Sequence, residues 1–426
     1  MNSSENEIEE RIRRLIASKG PITFSQFMEE ALYSPNLGYY HSADRIGASG
    51  DFFTSPLAHP VFGALIAIQI QEMWKILDRP KTFTILEFGS GQGLLSKDIL
   101  TFIESNYPAF AKQVRYVLID RIKPFSKPQP KNAEWVLANK SPFKGVTGCI
   151  ISNELLDSFP VHRFKIQNNK IYEILVNTSP NGFTEIAREI DSTPLLDYLK
   201  DISAHNLPDG FQGEIGLESS VWLNSAIASL DRGFILTVDY GATKEDLYSS
   251  QNLSGSLRCF YNHTVTGNPY QRIGKQDITS NVNFSALMDI GEVKGLSTLG
   301  ITTQREFLSN LGMGNFLTAL SQTQLSNNPQ LFPALSQKEY LANRMAALQL
   351  MDPQGLGAFK VLIQSKRVKS PQLSGIHPKN NAPTITDSAF TGLNLPLRDQ
   401  DRTPLFEGRY PDQALIPDDI WPWSSA

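Results

Sequence analysis

The run Glu87-Phe88-Gly89-Ser90-Gly91-Gln92-Gly93 places an acid ahead of three glycines at alternate positions. Glycine has no Cβ, so such a turn lets a ligand approach the backbone closely. The dinucleotide fingerprint Gly-x-Gly-x-x-Gly leads a pyrophosphate onto a helix N-terminus. Here the third glycine comes one residue early. That variant suits S-adenosylmethionine, which brings an amino-acid group and an adenosine but no phosphate. Backbone N–H groups can meet its carboxylate, while Glu87 faces its ammonium or the water around it. Taken alone, the loop is also readable as a glycine turn for tight helix–strand packing.

Two further groups of residues extend the pattern. Asp120 ends the next β-rich run, where an acid can accept from a ribose diol. Asn153-Glu154-Leu155-Leu156-Asp157 follows a later apolar run. Glu154 and Asp157 are three apart and would share a face of a helical turn. Such a pair can hold a guanidinium, whose fork of donors matches carboxylates. Equally, Asn153 can cap a helix whose first turn favours both acids. Arg258, His263 and Asp277 fall later in the chain, either shaping an acceptor pocket or making turn contacts. The stretch 267–275 has the wrong glycine spacing for a phosphate loop, and Gln276 replaces the required Ser or Thr.

The elements that must position these residues alternate. Residues 8–16 and 23–31 read as amphipathic helices, the second with Thr23 as N-cap, and 60–77 as a third helix. Strands are expected at 83–88, 116–119, 135–137, 146–152 and 234–238, with a helix at 94–105. This alternation implies an α/β fold with a parallel sheet covered on both faces. Between the fourth and fifth strands, 163–166, 170–176 and 183–190 form a small meander with turns at Asn168-Asn169 and Pro180-Asn181-Gly182. Helices at 195–205 and 217–230 return the chain to the sheet. Later helices are expected at 308–320 and 337–351, and a late strand at 358–363. From about 368 onward prolines interrupt every pattern, which reads as an irregular or disordered tail, with Trp421 and Trp423 near its end.

Composition sets the outer limits. The chain has 426 residues, 41% hydrophobic and 19% charged, with a formal net charge of −4. Hydrophobic content at that level excludes wholesale disorder. A mild acidic balance argues against binding nucleic acid through a general basic field. Two cysteines, Cys149 and Cys259, exclude a disulfide scaffold, and the scattered histidines offer no metal-ligand spacing, so no metal is expected. No apolar run is long enough to insert in a membrane. The N-terminus mixes Glu5, Glu7, Glu9 and Glu10 with Arg11, Arg13 and Arg14, unlike a signal peptide or a mitochondrial presequence. A cytoplasmic location is therefore expected.

Several motifs occur together and in order: Gly50-Asp51-Phe52-Phe53-Thr54-Ser55-Pro56, the glycine loop, Asn153-Glu154-x-x-Asp157-x-x-Pro160 and Val238-Asp239-Tyr240-Gly241. Gly255-Ser256-Leu257-Arg258-Cys259 and Gln276-Asp277-Ile278-Thr279 followed by Val282-x-Phe284 complete the series. Over residues 8–366 the chain resembles the MidA family, also called the complex I assembly factor 7 family, of class I S-adenosylmethionine-dependent methyltransferases. The resemblance implies a seven-stranded Rossmann-like core with an N-terminal helical cap. It implies protein-arginine methylation, for the mitochondrial members on a respiratory complex I subunit, and hence a protein substrate. By motif, Glu87, Gly89, Ser90, Gly91 and Gly93 would line the cofactor and Asp120 would hold its ribose. Gly50, Asp51, Thr54 and Ser55 would close over the site, and Asn153, Glu154 and Asp157 would face the acceptor. The chain departs from the family in Asp120-Arg121-Ile122-Lys123-Pro124, where a Glu and a Ser-Pro-x-Leu run are usual, and in its Pro-rich tail. The expected organisation is a cap and lid at 1–80, the two halves of the core at 81–160 and 233–367, an inserted meander with helices at 161–232, and the tail at 368–426. Methylation of a small molecule or another protein side chain, or a non-catalytic assembly factor with this fold, are the alternatives.

Overall fold

The computed structural model describes residues 3–41, 54–123, 130, 132–261, 264–325 and 335–377. The chain divides into two compact units. One comprises Met1–Ile46, Leu155–Asn224 and Tyr240–Ile290, and the other Gly47–Glu154, Ser225–Asp239 and Gly291–Ala426.

The second unit is built on a seven-stranded sheet. Its strands are β1 (Phe83–Phe88), β2 (Val114–Asp120), β3 (Ala133–Leu137), β4 (Val146–Asn153), β5 (Leu230–Asp239), β6 (Ser297–Thr303) and β7 (Lys360–Lys366). They lie in the order β6-β7-β5-β4-β1-β2-β3. β1 pairs in parallel with both β2 and β4, so the strand order reverses between β1 and β4. β7 runs antiparallel to both of its neighbours, β5 and β6. This is the expected α/β fold with seven strands. All six residues of β1 are buried, Thr84 and Glu87 among them, as the double cover of a parallel sheet requires.

Helix Val61–Ile76 packs against helix Leu94–Asn106. A Cβ at Gly63 would come within 2.6 Å of the Asp98 Cβ, so the glycine allows the two helices to approach. Phe62, Leu65, Ile66, Ile70, Met73 and Leu77 are all buried, as their spacing requires.

Two expectations fail in the last third. The expected helix at 308–320 is two helices, Gln304–Asn310 and Met313–Leu325, separated at Gly312, whose φ is +110°. β6 is not apparent in the sequence pattern because Ser297-Thr298-Leu299-Gly300-Ile301-Thr302-Thr303 is a polar edge strand, nowhere fully buried. The first ten residues of the tail have no regular structure, yet Leu373 is wholly buried and Ser374 bonds the Glu72 carboxylate through both its amide and its hydroxyl.

The first unit begins with helix Ser3–Lys19, which buries Ile8, Ile12 and Ile16 along one stripe. Helix Phe24–Tyr33 starts in a full capping box between Thr23 and Gln26. Strands His162–Gln167, Lys170–Ser179 and Gly182–Glu189 form the expected antiparallel meander. Asn168 and Asn169 both have positive φ, as a two-residue hairpin with a primed turn demands. Phe164, Ile166, Phe211 and Ile215 from this sheet and its neighbouring loop close a core with Leu195 and Leu199 of helix Thr193–Asp201.

The sheet of the second unit carries one unusual row. Gly148 of β4 lies between Thr84 of β1 and Gly233 of β5. Gly148 has φ +153°, and a Cβ there would sit 1.9 Å from the Thr84 carbonyl oxygen. Backbone cannot yield as a flexible side chain does. Gly148→Ala is expected to cost at least about 3 kcal/mol, combining overpacking with backbone strain. A urea midpoint close to the wild-type value would contradict this.

Candidate active site

The glycine loop joins β1 to helix Leu94–Asn106. Gly89, Gly91 and Gly93 have φ of +67°, +55° and +72°, a region that side chains with a Cβ rarely enter. The Gly89 amide still donates to Ile119 of β2 (3.0 Å), and the Gly93 amide donates to the Ser90 carbonyl (2.8 Å). Gly93 serves as the helix N-cap. A Cβ at Gly91 would meet nothing within 4 Å, so the loop is open on that side. The Ser90 hydroxyl is buried and has no partner.

Asp120 holds this loop in place. One of its oxygens accepts from the Gly91 amide and the other from the Ile122 amide, both at 3.1 Å. Burial pushes its pKa up, and these amides oppose the shift. The Arg121 amide is a further donor to this carboxylate. Glu87 is buried and accepts from the Tyr116 hydroxyl at 2.7 Å. Burial pushes its pKa up to about 8 against the Tyr116 bond. Tyr116 lies diagonally across from Glu87 on the same face of β2, a partner revealed only by the strand register.

β4 ends nearby in the same sheet. Glu154 has φ +49°, and its amide donates to Val238 of β5 at 2.9 Å. That reversal prevents a helical turn from starting, and residues 154–159 are not helical. The expected helix face shared by Glu154 and Asp157 is therefore corrected, and so is Asn153 as a helix cap, because Asn153 is the last residue of β4. The Glu154 Oε1 accepts from the Ser55 amide (2.9 Å) and from Asn153 Nδ2 (3.0 Å). Glu154 Oε2 and Asn153 Oδ1 are buried without partners, as is the Ser152 hydroxyl. Burial pushes the Glu154 pKa up to about 8; the Ser55 and Asn153 donors oppose this and Asp239 adds to it. Thr54 caps the helical turn Ser55–Ala58 without a side-chain bond.

The sheet thus brings together the glycine loop, Glu87, Asp120, Ser55, Asn153 and Glu154, at or near the carboxyl ends of β1, β2 and β4. This is the position, beside the reversal in strand order, where open α/β sheets bind ligands. The site contains backbone donors, an open glycine face and carboxylates, which fit an amino-acid group joined to an adenosine. Among the described residues no cluster of side chains is arranged to hold a metal.

Other expected residues belong to the first unit. Asp157 is buried, and its carbonyl accepts from the Ser280 amide. Asp277 is buried and accepts from the Tyr40 hydroxyl at 2.9 Å. Tyr40 stacks on Tyr33, and burial with the nearby Asp277 pushes the Tyr40 pKa up. Arg258 is exposed and bonds the Leu257 carbonyl. Gly50, Asp51 and His263 lie outside the described residues. Gln304 and Asp239, both wholly buried, were not among the expected site residues. The Thr303–Glu306 capping box marks the helix that begins at Gln304, and an acid closing the fifth strand marks Asp239.

Comparison with known proteins adds to this geometry. A family model described as "Putative S-adenosyl-L-methionine-dependent methyltransferase" matches residues 65–302. The mitochondrial protein arginine methyltransferase NDUFAF7 of Danio rerio is 26% identical over 368 residues, covering 77% of this chain and 82% of the relative. The Homo sapiens protein of the same name is 26% identical over 373 residues, with 78% and 80% covered. A solved superfamily member from Burkholderia thailandensis, bound to S-adenosyl-homocysteine, superposes with a TM-score of 0.76 at 26% identity. That match covers 88% of this chain and 95% of the other.

The mitochondrial relatives overturn the expectation of a cytoplasmic location. The acids and arginines behind that expectation belong to helix Ser3–Lys19, which is folded into its unit through Ile8, Ile12 and Ile16.

The raised acids predict how stability depends on pH. Glu87 and Glu154 keep their protons in the fold up to about pH 8, whereas the unfolded chain releases them near the ordinary value of about 4.3. Between those values the unfolded state binds fewer protons, so their contribution to stability falls as pH rises. The thermal midpoint of wild type minus that of the Glu87→Gln/Glu154→Gln variant is expected to decrease from pH 5 to 8. A difference constant across that range would show that the two acids titrate normally.

Proposed function

The chain belongs to the S-adenosylmethionine-dependent methyltransferase family whose model spans residues 65–302, and from that premise we propose that it methylates an arginine side chain of a protein. The observation that carries this reading is the pair of unpartnered buried acceptors, Glu154 Oε2 and Asn153 Oδ1. The Asn153 amide orientation follows from its Nδ2, which donates to Glu154 Oε1. Buried acceptors left bare are costly, and two on adjacent residues suit a group that offers several N–H donors. A guanidinium, with five donors in a planar fork, matches that demand. The names of the relatives support the same acceptor. The family resemblance extends the proposal to a respiratory complex I subunit as the protein that carries the arginine.

S-adenosylmethionine, when bound, supplies a methyl group on a sulfonium and leaves as S-adenosylhomocysteine. In this reading the glycine loop and Asp120 hold it, with the Gly91 amide bond to Asp120 fixing the loop. Holding both reactants in line can offset about 7–11 kcal/mol of barrier. A guanidinium, with a pKa of about 12.5–13.8, is a poor nucleophile. Ionised Glu154 orients its attacking nitrogen, stabilises the charge that develops there and takes the proton that this nitrogen sheds as the methyl is transferred.

Transfer of a tritiated methyl into lysate protein, followed by hydrolysis and separation of methylated amino acids, tests the acceptor. Label is expected in methylarginine; label confined to lysine or small molecules would exclude this reading. Glu154→Gln is expected to lower the transfer rate by about a hundredfold or more. Its calorimetric affinity for S-adenosylmethionine should remain within a few fold of wild type. Because Glu154 must be ionised to take the proton of the attacking nitrogen, kcat/KM should rise about tenfold per pH unit and level off above about 8. A flat profile between pH 6 and 8 would remove Glu154 from this role.

A further inference from the structure

Glu154 can present Oε2 to an acceptor only if its carboxylate is prevented from rotating. Asn153 supplies one of the two donors on Oε1, and it is the adjacent residue in the chain. The other is the backbone amide of Ser55, 99 residues away in sequence. Ser55 opens the short turn Ser55–Ala58, and Pro56 lacks an N–H. Thr54 gives that turn no side-chain cap. The Leu57 and Ala58 amides close the turn onto the Thr54 carbonyl, which shapes the turn but does not tie it to the sheet.

The Ser55 hydroxyl is spent on that task. It donates to Gln304 Oε1 at 3.0 Å, and both residues are wholly buried. Gln304 is itself held at two further points. Its Nε2 donates to the Leu350 carbonyl (3.2 Å), which fixes which end of the amide faces Ser55, and its backbone amide donates to the Phe359 carbonyl (2.7 Å). Phe359 directly precedes β7, and Thr303, the last residue of β6, caps the helix that Gln304 begins. A chain of bonds thus leads from the far edge of the sheet through Gln304 and Ser55 to one oxygen of Glu154.

We propose that Gln304 is a positioning residue for methyl transfer, acting through Ser55 to hold Glu154 so that Oε2 is presented to the acceptor. The proposal rests on the reading of Glu154 given above. Gln304 itself touches neither acceptor nor methyl donor. Besides Ser55 and Asn153, the charged group facing Glu154 among the described residues is Asp239 at the end of β5. Asp239 opposes ionisation of Glu154, so loosening the Ser55 donor leaves that repulsion less compensated.

The test compares wild type with Ser55→Ala, Gln304→Leu, the double variant and Glu154→Gln. The reading is the initial rate of tritium transfer from S-adenosylmethionine into lysate protein at limiting acceptor, from pH 6 to 10. Ser55→Ala and Gln304→Leu are each expected to lose about tenfold at pH 7. Their rising limbs should move about one unit to higher pH, with rates returning to within about twofold of wild type at pH 10. The double variant should be no slower than either single, because both break the same link. Calorimetric affinity for S-adenosylmethionine should be unchanged. A loss equal at every pH, no loss, or additive losses would overturn the proposal. If Gln304→Leu does not fold, Ser55→Ala, which removes only a hydroxyl, decides the matter on the same profile. An active Glu154→Gln would overturn the reading of Glu154 and the positioning role together. An inactive Glu154→Gln with unmoved profiles in the other variants would overturn the role of Gln304 alone.

Discussion

A carboxylate at the buried end of a parallel strand must find hydrogen-bond donors or give up its charge. The second unit meets this constraint at β1, β2, β4 and β5, which carry Glu87, Asp120, Glu154 and Asp239 at or next to their ends. Different donors answer it. Tyr116 serves Glu87 from the adjacent strand, and the Gly91 and Ile122 amides serve Asp120. Glu154 receives Ser55 and Asn153 on one oxygen and nothing on the other. The bonds that satisfy the acids are also the bonds that hold the loops, so loop geometry and electrostatics are set together. At Glu154 satisfaction is incomplete, and one oxygen is buried without a partner.

The sheet makes that gathering possible. Because β1 pairs with both β2 and β4, loops leaving β1 and β4 depart in different directions from neighbouring strand ends. The glycines Gly148 and Gly233 let the backbones of β1, β4 and β5 meet without a Cβ between them. The other unit follows different rules. Its meander is antiparallel, its turns are local, and helix Thr193–Asp201 closes one of its cores. Within it Asp277, Tyr40 and Tyr33 form a buried polar and aromatic group of their own.

Much of this architecture was legible in the sequence because its causes are local. The β-rich run of β1, the alternate glycines after it, the Thr23 cap and the Asn168-Asn169 hairpin each follow from sterics acting over a few residues. The same reasoning placed Glu87, Asp120, Asn153 and Glu154 at strand ends. It failed where local pattern is weak or misleading. β6 is polar because it is an edge strand, and a helix drawn through Gly312 ignored the backbone reversal there. Three-residue spacing suggested a helical face for Glu154 and Asp157, yet the tie from the Glu154 amide to Val238 turns the chain the other way.

By itself the sequence determined the alternating α/β plan, the open glycine loop and which acids stand at strand ends. Only the tertiary structure decided what each acid does with its two oxygens. The partners lie 29 residues away for Glu87 with Tyr116, 99 for Glu154 with Ser55, and 249 for Ser55 with Gln304. Local propensity extends over a few residues, whereas these pairings depend on strand register and on where distant segments cross the sheet. That is why the carboxylates could be named from the chain, while the Glu154 oxygen left buried without a partner could not.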